Sequence, residues 1–272
     1  MTAVRDIVVA TPDPPSRGVH NPIHDADGAG AAGYAGALVA GVRTYGWASQ
    51  TIIRALGRNW LSQGWVDFQL RRPLYAGETV QTVVDEDAEG WQLETSAGDG
   101  ENERVVLDGR VGLGNAPWLG ELCPPEPAPA VETTAPLPRY TLQTVPLKQP
   151  LAPLGAYVSG QAARAMVVED LGIDDVYFLG GDPVPVHPYF LAGRMAPLTR
   201  HNFTYGATIH VRSQIQHVRE ARADTAFVVG AQIVDAYDRN GHWYQVLDGI
   251  VSDDHGVLAM LRHHTIFRPR GT

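Results

Sequence analysis

The sequence predicts an α+β protein built from two similar halves. In each half, helical apolar spacing is followed by four strand-like segments that Gly, Pro or Asn residues separate. Helices packed on one side of such a sheet give a two-layer α+β architecture. A proline-rich stretch lies between the halves, so we expect one unit over residues 1–115, a linker over 116–139 and a second unit over 140–272. The alternative is one domain with a long surface loop.

The first half is expected to contain one long helix over residues 35–56, followed by four strands. Gly57 is a stop signal for the helix. One helical face is apolar, with Leu38, Val42, Tyr45, Ile52, Ile53 and Leu56. The opposite side carries Arg43, Trp47, Arg54 and Arg58. The strands are expected at residues 65–70, 78–85, 91–96 and 104–113.

The second half repeats this order. An apolar helix is expected over residues 160–171, and His187-Pro188 is typical of a second helix start, since proline suits the first helical position. That second helix should continue to about residue 201. Asp238-Arg239-Asn240-Gly241 is a hairpin signal. The strands are expected at residues 208–215, 226–237, 243–251 and 257–267.

Composition and charge narrow the function classes. The formal net charge of −9 opposes binding to nucleic acid. Cys123 is the only cysteine, so no internal disulfide can form and a reducing compartment fits. The first residues lack the pattern of a signal peptide, and no stretch is long and apolar enough to cross a bilayer. We therefore expect a cytoplasmic protein with no membrane partner.

The run His20-Asn21-Pro22-Ile23-His24, followed by Gly41, resembles the active-site segment of the MaoC-like (R)-specific enoyl-CoA hydratases, the hydratase 2 family. Residues 68–78 resemble that family's strand and proline–glycine–acid turn, and residues 207–211 and 264–269 resemble strands of a second, degenerate copy. The resemblance implies a double hotdog fold, in which each copy wraps a curved antiparallel sheet around a helix. That family usually has a strand and a helix before its motif, and few residues precede it here.

The resemblance also implies a site. His24 would be the catalytic acid/base, and Asn21, Gly41 and Ser49 would bind the substrate, with the Gly41 N–H facing the thioester oxygen. Each residue has a simpler interpretation: a loop histidine, an Asn-Pro turn, a glycine that eases helix packing, and a serine bonded to the carbonyl one turn back. Coenzyme A or an acyl carrier would be part of the substrate, and no separate cofactor is expected.

The chain departs from the family at one position of the motif. Val19 stands where the family has the aspartate that shares its water with the histidine. A valine cannot accept a proton. Side chains that could substitute are the neighbours His20, Asp25 and Asp27, or from the second half Asp174 and Asp175.

A metal site is not expected. His263 and His264 are adjacent in a strand and should face opposite sides of the sheet, and the odd spacing of His210 and His217 separates these two in the same way. No cluster of cysteines or glutamates accompanies them.

The function that the resemblance implies is hydration or dehydration of an acyl thioester at its 2,3-bond. One alternative is thioester hydrolysis, which related hotdog proteins perform. Another is acyl binding or assembly without catalysis, left after Val19 removed the acid/base pair. The architecture would also allow two chains to pair as a homodimer.

Overall fold

The structure is a computed structural model that describes residues 3–14 and 21–271. The strands are β1 Val4–Val9, β2 Gly64–Leu70, β3 Thr79–Asp87, β4 Gly90–Ala97, β5 Arg104–Leu113, β6 Leu154–Val158, β7 Ile209–His217, β8 Thr225–Arg239, β9 His242–Asp253 and β10 Gly256–Arg268. The helices are α1 Ala26–Ala31, α2 Gly41–Leu56, α3 Trp60–Gln63, α4 Gly160–Ala165, α5 Val176–Leu179, α6 Pro188–Ala192 and α7 Met195–Asn202.

All ten strands form one antiparallel sheet with a pseudo-twofold order. The order is β1-β3-β4-β5-β2-β7-β10-β9-β8-β6, so each half repeats the same sequence of neighbours outward from the centre. The halves meet where β2 pairs with β7, from Trp65 opposite Gln216 to Gln69 opposite Arg212. The predicted unit of helix plus antiparallel sheet is therefore present twice.

Helix α2 lies in a core that both halves share. Tyr45 and Ile52 of α2 belong to the same buried cluster as Phe190 and Leu247 of the second half. The division at residues 115 and 140 therefore stays a prediction, because one sheet and one core span both sides of it.

The side of α2 that the sequence assigns to its arginines and tryptophan is buried near the start of the helix and exposed near its end. Arg43 is 1% exposed and Trp47 is 3% exposed, whereas the Arg54 side chain is 57% exposed. The Trp47 indole Nε1 donates to the carbonyl oxygen of Leu171 at 2.8 Å, so the second half covers the first part of this side. A single apolar stripe does not describe the start of α2, because the helix is packed on both sides there.

Helix α2 also begins later than predicted, at Gly41 instead of residue 35. The preceding residues are extended, because Leu38 bridges to Tyr75 and the Val39 N–H donates to the Leu74 carbonyl oxygen at 2.9 Å. The predicted single helix from His187 is interrupted at Gly193 and resumes as α7.

Most predicted strands are confirmed within about three residues, but two short strands were not predicted. Strand β1 pairs with β3 and precedes the Asn-Pro motif. The chain therefore has a strand before the motif, as the resembled family does, although few residues precede it. Strand β6 holds the equivalent place at the opposite edge of the sheet, beside β8.

The proline-rich segment is anchored along the sheet. Trp118 and Leu122 pack with Trp65 of β2 and Met260 of β10. Farther along, the N–H of Cys123 donates to Oδ2 of Asp248 on β9 at 2.7 Å. The segment is therefore held to both halves. Within the described residues, no helix is long and apolar enough to span a membrane.

Burial lowers the pKa of five histidines, which keeps them neutral in the folded protein. The pKa falls to about 3 for His187 and His210, to about 4 for His217 and His264, and well below its ordinary value for His263. In the unfolded chain these imidazoles regain an ordinary pKa near 6.5. Below that pH the unfolded state binds more protons than the folded state.

We therefore predict that the free energy of unfolding falls steeply as the pH drops below about 6.5. Each buried histidine contributes up to about 1.4 kcal/mol per pH unit until its folded-state pKa is reached. Urea unfolding at about pH 7.5, 6 and 5 measures the slope. His187→Asn, which can still cap α6, should reduce the slope by about one proton. His255→Gln, at a side chain that is 74% exposed, should leave it unchanged. Equal stability at all three pH values would contradict the prediction.

Candidate functional site

The Asn-Pro motif is clamped to the residue that precedes β7 in the second half. Asn21 precedes a short 3-10 turn, Pro22–His24. The Asn21 side-chain Nδ2 donates to the carbonyl oxygen of Thr208 at 2.9 Å, and its Oδ1 accepts from the Thr208 N–H at 3.1 Å. Thr208 immediately precedes β7. Asn21 thus fixes the motif against β7, and its contact with a substrate stays a prediction.

His24 ends this turn, and both of its ring nitrogens have polar neighbours. Its Nδ1 lies 2.8 Å from the carbonyl oxygen of Leu38 and 2.9 Å from Oδ2 of Asp13. Both of these neighbours are acceptors, so Nδ1 carries the hydrogen and Nε2 of the neutral ring carries the lone pair. Nε2 lies 3.4 Å from Nδ2 of Asn21, a hydrogen-bond donor, and the His24 side chain is 24% exposed. The arrangement makes Nε2 the basic nitrogen of the ring.

Asp13 joins the imidazole to the first turn of α2. Its two carboxylate oxygens accept from the Ala40 N–H at 3.2 and 3.0 Å, and Oδ1 lies 3.0 Å from Nη1 of Arg43. Ala40 is the N-cap residue of α2 and has no side chain that could cap it. Asp13 therefore serves as the missing cap, although it lies far upstream in sequence.

Arg43 holds Asp13 from inside the protein. Its guanidinium Nη1 also donates to the Thr11 carbonyl oxygen at 2.7 Å, and its Nε donates to the Asp170 carbonyl oxygen at 3.1 Å. One buried side chain therefore ties together the segment before the motif, helix α2 and the second half.

The pKa values of the Asp13–His24 pair move in opposite directions. Burial would raise the pKa of Asp13, but the His24 and Ala40 hydrogen bonds and the Arg43 guanidinium together lower it. Burial would also lower the pKa of His24, but the Asp13 carboxylate, the Leu38 carbonyl and the charge of Asp25 raise it. Near neutral pH, Asp13 stays ionised and His24 can exchange a proton.

The carboxylate beside His24 is not one that the sequence suggested. Val19 and His20 lie outside the described residues. Asp25 is the N-cap residue of α1, and its charge raises the pKa of His24. Asp13 was missed because no periodicity or motif spacing links it to His24, and because the predicted helix start at residue 35 hid the N-cap at Ala40, which lacks a capping side chain.

The remaining candidate acids lie in other surroundings. Asp27 is exposed in the first turn of α1. Asp175 caps α5, where its Oδ1 accepts from the Tyr177 N–H at 2.9 Å, and the neighbouring Asp174 is exposed. Asp174 and Asp175 lie at the start of a second-half helix, and the substitution of any of these acids for the family aspartate stays a prediction.

Gly41 lies at a close approach between α2 and two strands. A Cβ atom there would clash with the Leu70 side chain and lie 3.1 Å from Nδ1 of His210. The N–H groups of Gly41 and Val42 have no hydrogen-bond acceptor in the described part of the chain. The glycine is required by packing, and its N–H is also available to a ligand; contact with a thioester stays a prediction.

Ser49 lies in the middle of α2 and is fully buried. Its Oγ donates to the carbonyl oxygen of Gly46 at 2.8 Å. The hydroxyl thus has the helix-internal partner that the sequence left open as the alternative to a ligand. Its place in an acyl pocket stays a prediction.

The histidines of β7 both face the interior, which corrects the expectation from their odd spacing. His210 contacts the edge of Phe68, and His217 contacts Trp60. A β-bulge explains this, because β10 pairs with Arg212 and then with His210, which leaves Val211 without an opposite residue. Within the described residues, no three His, Cys, Asp or Glu side chains are grouped to hold a metal ion.

The chain resembles solved structures over nearly its whole length. A protein from Chloroflexus aurantiacus J-10-fl, described as a MaoC domain dehydratase, matches with a TM-score of 0.63 and 13% identity over 99% of this chain and 95% of that one. A Mycobacterium tuberculosis protein described as having a double hotdog fold matches with a TM-score of 0.53 and 16% identity over 89% and 86%.

A third similar structure is described with a different activity. A protein from Novosphingobium aromaticivorans DSM 12444, described as a thioesterase, matches with a TM-score of 0.52 and 16% identity over 97% of this chain and 96% of that one. No protein-family model and no curated protein sequence matches the chain. At these identities the structures show the fold, so the chain has the double hotdog fold.

Replacing Asp13 by Asn should lower the pKa of His24. The amide removes the negative charge that stabilises the imidazolium, while the burial that opposes it remains. An NMR titration of the His24 ring measures the change, and His255, exposed and remote, serves as an internal reference. An unchanged pKa of His24 in a folded Asp13→Asn protein would show that the two side chains are not coupled.

Replacing Gly41 by Ala should destabilise the fold by about 1–3 kcal/mol, the usual cost of overpacking, because the new methyl group meets Leu70. Gly36→Ala is the matched control, since a Cβ atom there has only Tyr75 nearby, at 4.0 Å. Urea unfolding of the two variants measures the difference. Equal stability would mean that Leu70 moves aside without cost.

Proposed function

We propose that this chain is a MaoC-like hydratase or dehydratase that acts on the 2,3-bond of an acyl thioester. The observation that carries the proposal is the Asp13–His24 pair, joined at 2.9 Å, at the first N–H groups of α2. The similarity of fold to a protein described as a MaoC domain dehydratase supports it.

His24 would perform both proton transfers of the reaction. In dehydration, Nε2 takes the α-proton of a 3-hydroxyacyl thioester, and the C2 electron pair forms the 2,3-double bond as the C3–O bond breaks. Nε2 then returns the proton to the departing hydroxyl, which leaves as water. Hydration is the reverse sequence. The raised pKa of His24 suits a group that must both accept and donate near neutral pH.

The start of α2 would stabilise the enolate that forms between these two transfers. Asp13 already occupies the N–H of Ala40, so Gly41 is the next residue whose N–H is available. A thioester oxygen bound there would gain from this donor and from the positive end of the helix. Gly41 is also the residue that matches the family's N–H donor. It lies one residue after Ala40, whose N–H Asp13 occupies.

Asp13 would act differently from the family aspartate at the Val19 position. It accepts a hydrogen bond from Nδ1 of His24 instead of lying beside that ring as a second proton acceptor. A carboxylate in this place fixes the tautomer of the imidazole and stabilises its charged form. The acid/base chemistry would therefore belong to His24 alone, with Asp13 as a positioning residue.

Hydrolysis of the thioester is the second candidate, and the presence of a single base, Nε2 of His24, favours it. Nε2 of His24 could activate one water for attack on the thioester carbon, and the Gly41 N–H could hold the resulting oxyanion. Coenzyme A or an acyl carrier would be released as a thiol. The similar fold of a protein described as a thioesterase also supports this candidate.

Assays of the products distinguish the candidates. Hydration of crotonyl-CoA and longer 2-enoyl-CoAs removes the absorbance of the conjugated thioester, whereas hydrolysis releases free thiol. We expect hydration, and we expect His24→Gln to lower its turnover roughly a hundredfold or more. The exposed His255→Gln is the control and should match the wild type.

Three outcomes contradict the proposal in different ways. Thiol release without hydration would assign the site to hydrolysis. Binding of an acyl-CoA without either reaction would indicate an acyl-binding protein. Unchanged turnover in a folded His24→Gln protein would place the chemistry elsewhere.

A further inference from the structure

Three buried side chains form a hydrogen-bonded chain beneath the start of α2. Nε2 of His210 lies 2.8 Å from Oγ of Ser213, and the same Oγ lies 2.8 Å from Nδ1 of His263. The two imidazole rings are 4.3 Å apart between their centroids. The bulge at Val211 places His210 on the same side of β7 as Ser213, so this chain depends on a local irregularity of the sheet.

The protons of this chain can be arranged in more than one way. Both imidazoles are neutral at ordinary pH, and the Ser213 hydroxyl has one hydrogen to donate and two lone pairs with which to accept. When Ser213 donates to Nε2 of His210, the hydrogen of that ring is on Nδ1. When Nε2 of His210 donates to Ser213, Nδ1 is an acceptor. Nδ1 of His210 can donate to a ligand only in the first arrangement.

The Nδ1 atom of His210 is the open end of the chain. It is buried and has no hydrogen-bond partner among the described residues. It lies 3.1 Å from the position of a Cβ atom on Gly41, next to the N–H that the proposed reaction uses. A buried polar atom without a partner destabilises the protein, so a ligand atom that meets it would recover the lost hydrogen-bond energy.

Three side chains thus converge on four consecutive residues of the backbone. His24 contacts the Leu38 carbonyl, Asp13 contacts the Ala40 N–H, and His210 lies beside Gly41. The first two come from the first half of the chain and the third from the second half. They surround the position that a thioester carbonyl would take at the start of α2.

We propose that His210 is a second hydrogen-bond donor to the thioester carbonyl oxygen, acting from Nδ1–H beside the Gly41 N–H, with Ser213 and His263 fixing its tautomer. This inference rests on the proposed function. In addition to the Gly41 N–H, the His210 imidazole from the second half of the chain would stabilise the enolate oxygen. The Leu70 side chain fills part of the same space, and rotation about its χ angles would admit the oxygen.

A neutral imidazole is suited to this role. Burial lowers the pKa of His210 to about 3, so the ring cannot hold a second proton at working pH. It would donate a hydrogen bond to the developing charge without transferring a proton to it. His24 then remains the only group that exchanges protons with the substrate.

The first test compares variants at His210 with a matched control on the same strand. His210→Phe removes the donor and keeps an aromatic ring, and His210→Asn can place an amide N–H near the former Nδ1. His217→Phe is the control, because His217 is also buried in β7 but contacts Trp60 and the Tyr45 hydroxyl instead of lying beside Gly41. Turnover and KM with crotonyl-CoA, and urea unfolding of each variant, are measured together.

We expect His210→Phe to lower kcat about 100- to 1000-fold with little change in KM, the scale of losing one oxyanion donor. His210→Asn should recover part of this loss, and His217→Phe should have the kcat of the wild type. Wild-type kcat in His210→Phe, with His24→Gln inactive, would overturn the role of His210 and leave the proposed function intact. A wild type without activity on thioesters would overturn both.

The second test examines the tautomer in the protein without substrate. Nitrogen-15 NMR of the histidine rings should show the hydrogen of His210 on Nδ1, and His210→Phe identifies its signals. Ser213→Ala should release this preference and also lower kcat. A hydrogen found on Nε2 of His210 in the wild type would overturn the proposal independently of any activity.

Discussion

The candidate site depends on one buried guanidinium. Arg43, on α2, holds the Asp13 carboxylate and the backbone carbonyls of Thr11 and Asp170. Asp13 in turn caps α2 and orients His24. Removing one partner of a buried ion pair costs about 3–5 kcal/mol, because the other charge stays buried. The interaction that stabilises the helix start therefore also keeps the imidazole in one tautomer, and stability and chemistry are coupled at this point.

The sequence was sufficient for the elements that depend on local pattern. Alternating strands such as β2 and the proline-marked start of α6 were located closely, because period and turn chemistry are local properties. It was insufficient where distant segments decide the structure. Residues 35–40 have a helical pattern but are not helical, since Leu38 bridges to Tyr75 and Val39 bonds to Leu74. Arg43 is a charged residue of the kind expected on an exposed helix face, yet both halves of the protein enclose it.

The site shows the same division. His24 could be found from its motif, because the order of residues is the signal. Asp13 could not, since its contacts with His24 and Ala40 join segments that no spacing rule relates. His210 was set aside for a reason that is valid in a regular strand, where odd spacing reverses the face. The bulge at Val211 cancels that reversal, and a bulge of this kind has no signature in one sequence.

The second half contributes to the site although the motif lies in the first. Thr208 clamps Asn21, the Asp170 carbonyl accepts from Arg43, and His210 lies against Gly41. The β2–β7 pairing accounts for Thr208 and His210, because it brings the start of β7 beside the end of β2. A first half alone would keep the motif but lose these supports. The double sheet is therefore part of the site's geometry, since the motif is positioned by contacts that only the fused second copy supplies.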